Sequence, residues 1–187
     1  MRLLHKIKLA REANRIERCH MVPHIRPYMV GLHTCDLMGL LVFLWEEEYG
    51  EFPPRDVLLA ALFHDTPERR VGDIPSQVKS FLDSKKLDDE EQNVLAALGV
   101  NFDLTDLQKK WIYWCDVIEL YMWTFEEERA GNKEALGIRK AIENWRSKHY
   151  MEMPASVINF TNMLKDSQIH GFPRLSETLE VELNESE

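Results

Sequence analysis

Apolar residues recur along most of this chain at intervals of three and four, the spacing that lays one stripe along a helix. Alternating β-branched stretches bounded by turn residues are absent. The pattern predicts an all-α fold. Between residues 2 and 18 the stripe is Leu3, Ile7, Ala10, Ala13 and Ile16, and the segment Cys19 to Tyr28, with Pro23 and Pro27, breaks it. A second helix is predicted over 29–49, closed by Gly50 and the Pro53-Pro54 pair. A third, over 55–67, is apolar on every side, which predicts a central position. Gly72-Asp73-Ile74-Pro75-Ser76 reads as a turn opening a short helix through Leu82, since proline is accommodated in a first turn. A charged helix near 88–98 follows, then a loop with Gly99 and Asn101. Asp103 or Thr105 supplies the cap of a long helix to Arg129, which Gly131-Asn132 ends. Helices at about 133–150 and 155–166 complete one helical-bundle domain over 1–170, and 171–187 form a tail, acidic from Ser176 onward, that frays.

Composition narrows the class of partner. With 187 residues, 44% hydrophobic and 10% aromatic, the chain suits one domain with a sizeable core. A net charge of −9 argues against a nucleic-acid groove, so the expected ligand is a small molecule, anionic only if Arg, Lys and metal charge are gathered locally. Cys19, Cys35 and Cys115 are odd in number and lack metal-knuckle spacing, which fits reduced thiols and a cytoplasmic setting, the host-cell cytoplasm if the chain is phage-encoded. The amino-terminal nine residues are too charged for a secretory segment, and the apolar run Leu37 to Trp45 is far short of a membrane span, so no membrane partner is expected.

Ionisable residues inside apolar helices need a reason to be there, because burying an unpaired carboxylate costs several kcal/mol. His64 and Asp65 end the apolar run from Asp56, and Asp116 interrupts the run from Trp111 to Trp123. His33 lies on the preceding helix. The four can converge as an inward-facing set, the way helical bundles commonly hold metals. Two imidazoles and two carboxylates suit one divalent ion, Co²⁺, Mn²⁺, Zn²⁺ or Fe²⁺, with Mg²⁺ fitting less well, and leave positions for water and a phosphate oxygen. Glu68, four residues after His64, projects from the same helix face. Asp36, three residues after His33, is the alternative ligand or partner on that helix.

The set His33, His64-Asp65, Asp116 resembles the signature of the HD-domain metal phosphohydrolases. His64-Asp65-Thr66-Pro67-Glu68 followed by Gly72-Asp73-Ile74-Pro75-Ser76-Gln77-Val78-Lys79 is similar to a block of the bacterial 5′-deoxynucleotidases, and Arg18 stands where those enzymes carry a phosphate-binding arginine. Glu126 to Asn132 resembles their Glu-rich helix end closing in Gly-Asn. The resemblance covers roughly residues 15 to 135. The interval from Asp65 to Asp116 is shorter than in those enzymes and closer to the compact phage-type dATP triphosphohydrolases of the same superfamily. Both groups often place Trp after the arginine, against the deoxyribose; here Cys19 stands there.

The resemblance implies a metal-dependent deoxynucleotide phosphohydrolase that commonly assembles as a homo-oligomer. The compact spacing and the basic loop residues His20, His24 and Arg26 favour release of triphosphate from dATP or related dNTPs. Release of phosphate from dNMPs is the alternative, and a catalytically inactive nucleotide-binding sensor is the alternative from another class. A two-metal oxygenase would need a doubled His-Asp arrangement that is not found. Glu68, with Asp65, is the expected catalytic pair, Glu68 handling the proton of the attacking water; a solvated pair with Arg69 or Arg70 is its bland reading. Arg18 and Lys79 are expected to hold phosphate oxygens, or to be ordinary exposed cations. Asp73 is expected at the sugar 3′-hydroxyl, with Cys19, His20, Met21 and the turn Ile74, Pro75, Ser76 completing the substrate surface. His5, His149 and His170 belong to no constellation, and the Trp and Met residues of 111–123 read as core.

Overall fold

The computed structural model describes residues 2–79 and 81–170. Helix α1 spans Leu3–Ala13, α2 Val30–Tyr49 and α3 Arg55–Phe63, followed by the one-turn helices α4, Glu68–Val71, and α5, Ser76–Lys79. After them come α6, Ser84–Leu98, α7, Asp106–Arg129, α8, Ala135–His149, a 3₁₀ turn at Tyr150–Glu152 and α9, Ala155–His170. The described residues contain no strand, only an isolated bridge between Glu17 and Met29. None of their helices is long and apolar enough to cross a membrane. The tail predicted over 171–187 lies outside the described residues.

The two longest helices, α2 and α7, pack on one another, with α3 and α9 against both and α8 along α7. Leu37, Leu41 and Trp45 recur every fourth residue and form the buried stripe of α2; Trp111, Cys115, Ile118 and Phe125 answer from α7. Trp45 and Trp111 meet at 5.2 Å between ring centroids, and the Trp111 indole donates to the Tyr49 hydroxyl at 3.1 Å. Truncating Leu37 or Leu41 to Ala would cost about 2–5 kcal/mol, the usual range for a fully buried leucine. This rigid pair of helices is what holds the chemistry in place.

Three boundaries differ from the periodicity, and one of the two caps it offers for α7 is used. The first helix stops at Ala13, short of residue 18, because the following backbone is drawn into pairing with 28–30: Val30 N–H donates to Ile16 at 2.9 Å and Arg18 N–H to Tyr28 at 2.7 Å. Gly31 makes this approach feasible, since a Cβ there would sit 2.9 Å from the Asn14 side chain. The third helix ends at Phe63 rather than 67; residues 64–67 turn, and α4 begins after Pro67. Nor is α3 enclosed on all sides: Val57 and Ala61 are buried, but Leu62 is 44% exposed. The charged helix starts earlier, at Ser84, where Asp83 accepts the Lys86 N–H. Thr105, not Asp103, caps α7, in a reciprocal box with Gln108.

Candidate metal centre

The centre lies where the first turn of α2, the end of α3 and the middle of α7 converge. His33 is buried in the first turn of α2, His64 is the C-cap of α3, and Asp116 lies in the middle of α7. His33 Nε2 is 3.4 Å from His64 Nε2 and 3.1 Å from Asp116 Oδ1, and the donor atoms of this trio all lie within 4.8 Å of one another. Asp65 flanks the trio, its Oδ1 3.1 Å from His64 Nε2 and its Oδ2 3.5 Å from His33 Nε2. Asp36 sits on the exposed side of α2 and is not one of the trio.

The orientation of both rings is fixed from behind. His64 Nδ1 lies 2.7 Å from the carbonyl of Ala61, which can only accept, so Nδ1 carries a proton and Nε2 is the ring atom left to face the centre. His33 Nδ1 faces the Glu119 carboxylate, which also accepts from the Tyr28 hydroxyl; all three residues are buried. A carboxylate behind a ligating imidazole is the arrangement that sets its tautomer and raises its basicity. Two imidazole Nε2 atoms and two carboxylates therefore face one point, an arrangement that calls for positive charge. The donor set fits one divalent cation.

Electrostatics point the same way. Burial pulls the His64 pKa down, but Asp65 and Asp116 outweigh it and push it up to about 9. Burial likewise opposes ionisation of Asp65, yet His64, Arg18 and His33 hold its pKa well below the usual carboxylate range. Glu68 behaves oppositely: burial and the Asp65 charge, against Arg18, push it up to about 8. Its Oε2 is buried with no hydrogen-bond partner among the described residues, and so is Arg18 Nε. Such orphans beside a cation-seeking centre mark space for a polar ligand.

Arg18 spans the two carboxylates, Nη1 on Asp65 and Nη2 3.3 Å from Asp116, with its guanidinium over the Tyr28 ring. Asp73 joins the neighbouring loops: its Oδ2 accepts the Cys19 N–H at 2.8 Å and lies 3.5 Å from His20 Nδ1. Cys19 adopts φ +54°, and its side chain packs against the cluster of Tyr28, Trp123 and Ala135, where burial pushes the thiol up to about 12. Met21 is exposed, and Ser76 opens α5 after Ile74 and Pro75. The basic loop residues are partly spoken for. His24 is held by Val22 and Glu17 with its ring edge toward Trp123, and Arg26 lies 3.7 Å from Glu126. Arg69 and Arg70, the bland partners for Glu68, bind Glu12 and Glu90 instead.

One face of α7 carries more than Asp116. Asp116, Glu119, Trp123 and Glu127 follow at steps of three and four: the first faces His33, the second orients it, the third stacks on Tyr28 at 4.9 Å, and the fourth anchors the preceding loop. Glu127 accepts the N–H groups of Ile25 at 2.8 Å and Arg26 at 3.2 Å and the Asn132 amide at 2.7 Å, while Asn132 also donates to Pro23. Glu119 and Tyr28 were missed from sequence. The signal was a second carboxylate, three residues past Asp116, inside the same apolar run. Beyond the ligands, a cavity of about 770 Å³ opens from His64, Asp65 and Glu68, walled also by Lys79, Lys109 and Phe102.

No family model matches the chain. It is 26% identical over 160 residues to a 5′-deoxynucleotidase of Cronobacter sakazakii, covering 74% of this chain and 80% of that protein. Among solved structures it resembles the HD phosphohydrolase DatZ of cyanophage S-2L, seen with dA and one catalytic Zn²⁺ ion, with TM-score 0.67, 19% identity and coverage of 88% of this chain and 96% of that one. The PH0347 protein of Pyrococcus horikoshii gives TM-score 0.66 at 16% identity over 88% of this chain and 97% of that one. The chain thus has the fold of these solved structures, and that fold brings His33, His64 and Asp116 together at one point.

Proposed function

We propose that the protein is a metal-dependent phosphohydrolase that cleaves the 5′-phosphate ester bond of deoxynucleotides, with dATP or related dNTPs as the favoured substrates. The observation that carries this is the convergence of the His33 and His64 Nε2 atoms on Asp116 with both Nδ1 atoms already engaged. His33, His64, Asp65 and Asp116 would hold the ion, which supplies Lewis acidity toward a phosphoryl oxygen and acidifies water. Arg18, poised at the carboxylates, binds phosphate oxygens and offsets charge that develops on them, and Lys79 does so from the other wall. Glu68, buried beside the centre with one oxygen free of protein partners among the described residues, takes the proton of the attacking water and passes it to the departing O5′. Asp73 with Cys19, His20 and Met21 and the turn Ile74-Pro75-Ser76 forms the sugar side.

A second reading, phosphate release from dNMPs, is favoured by the deoxynucleotidase relative and by the engagement of His24 and Arg26, which weakens the basic loop as a polyphosphate site. An inactive nucleotide sensor has little use for a buried carboxylate with a free oxygen at the centre. Incubation with each dNMP and dNTP plus Mn²⁺, Co²⁺ or Zn²⁺, followed by chromatography, separates the readings: deoxynucleoside with triphosphate, deoxynucleoside with phosphate, or no turnover. The last outcome would refute the proposal.

A further inference from the structure

The cavity beside the centre is larger than one phosphate needs: its volume of about 770 Å³ lies in the range that takes whole small-molecule ligands. Its walls come from the end of α3, α4, α5, α6, the 100–104 loop and the first turns of α7. Arg18, Cys19, His20, Met21 and Asp73 do not line it, and Ile74 is where the sugar side borders it. A substrate whose sugar contacts those residues therefore leaves this space to whatever else is attached to the reacting phosphorus. Two lysines from separate helices line the space, Lys79 of α5 and Lys109 of α7. Nearby cations are neutralised, Arg70 by Glu90 at 2.6 Å and Lys110 by Glu152 at 2.9 Å, whereas neither wall lysine has an ion-pair partner within 4 Å among the described residues.

Resting on the phosphohydrolase reading, we propose that Lys109, which no sequence motif marks, acts with Lys79 to hold the β- and γ-phosphates of a nucleoside triphosphate in this cavity. Water forms the new bond to the α-phosphorus, the bond from that phosphorus to O5′ breaks, and O5′ leaves with a proton. Deoxynucleoside departs on the sugar side, and inorganic triphosphate remains against the lysines. Glu91 and Asp103 also line the cavity and would be available to a divalent cation carried by the polyphosphate, because Mg²⁺ is typically held between carboxylates and substrate phosphates. Phe102 and Leu95 with the Gln92 amide also resemble a wall for a base. Lys109, with no ion-pair partner within 4 Å among the described residues, favours the polyphosphate together with Lys79, whose charge also acts on Glu91.

Inorganic tripolyphosphate and orthophosphate, each with Mg²⁺, are titrated by calorimetry into the full chain and into its Lys109→Ala and Lys109→Glu variants. Lys109 is exposed, so neither change opens the core. Loss of one charge-assisted contact should weaken tripolyphosphate by about tenfold in Lys109→Ala and further in Lys109→Glu, with a much smaller effect on orthophosphate. The ratio of kcat/KM on dATP to that on dAMP should fall by a similar factor. Tripolyphosphate affinity within about twofold of the parent in Lys109→Glu overturns the inference. So does a changed base preference among dNMPs in Phe102→Ala with tripolyphosphate binding unmoved by either Lys109 variant, which would place the base in the cavity. Calorimetry reports whether or not any deoxynucleotide turns over, so failure here is distinguishable from failure of the phosphohydrolase reading.

Discussion

Glu119→Gln isolates what the carboxylate behind His33 contributes. One Glu119 oxygen receives both the His33 Nδ1 proton and the Tyr28 hydroxyl, and the group is buried. The amide is nearly isosteric and its oxygen can still accept, so geometry survives while the negative charge is lost. Partners of this kind are worth about 10- to 100-fold in metal affinity, or about 1.4–2.8 kcal/mol. Glu119→Ala should do something different: it orphans two buried donors at about 1–3 kcal/mol each, so about 2–6 kcal/mol of folding stability is at risk. The assay is chelator competition for Zn²⁺ or Mn²⁺ with thermal melting of the metal-free protein. Expected are a near-parental melt with weakened metal binding for Gln, and a lowered melt for Ala. A Gln variant that binds metal within twofold of the parent and keeps its turnover would refute the orienting role.

Asp116→Ala and His64→Ala should each abolish both stoichiometric metal binding and deoxynucleotide hydrolysis, checked by metal analysis and product chromatography. Glu68→Gln should keep the metal and lose about 10² to 10⁴ in turnover, the usual contribution of a positioned acid or base; parental turnover removes Glu68 from the chemistry. Arg18→Ala should raise KM without weakening metal binding, because it deletes a cation that now occupies Asp65 and Asp116; a metal-free variant would show Arg18 to be structural. For Glu127, burial raises the pKa but three donors outweigh it, so the folded value lies below the reference of 4.5. Its stabilisation is present above that reference and is lost as pH falls through the lowered value. Denaturant unfolding should show a parent losing stability on acidification below about pH 4.5 more steeply than Glu127→Gln, and equal slopes would contradict the anchor.

Much of the bundle was legible because core burial imposes its period on the sequence: α2 and α7 begin and end within a residue or two of their predicted limits. What escaped were places where a non-local partner overrides local preference. Residues 14–18 continue the apolar stripe of α1, yet pairing with 28–30 takes their backbone, and nothing near residue 16 signals a partner beyond Tyr28. The stop at Phe63 was written locally, in Pro67, which lacks the N–H a continued helix would need there, but the apolar run masked it.

His64, Asp65 and Asp116 were visible because they interrupt apolar sequence, whereas Glu127 disguises itself as an ordinary surface acid. Glu127 sits in a run of three glutamates, two of them flanking it, that reads as a solvated helix end. In the fold it is 1% exposed and carries the loop between Arg18 and His33. Helical spacing joins these roles: the same face that presents Asp116 also presents Glu119, Trp123 and Glu127, so one helix sets the ligand, the ring behind it and the loop before it. Cys19 follows from the same face. A thiol fits beside Trp123 and Tyr28, which already fill the apolar space, and its left-handed backbone is held by Asp73. The indole that related sequences place here would have to point elsewhere, toward the substrate. With Cys19 packed against Tyr28 and Trp123, this loop presents the exposed side chains of His20 and Met21 beside Asp73.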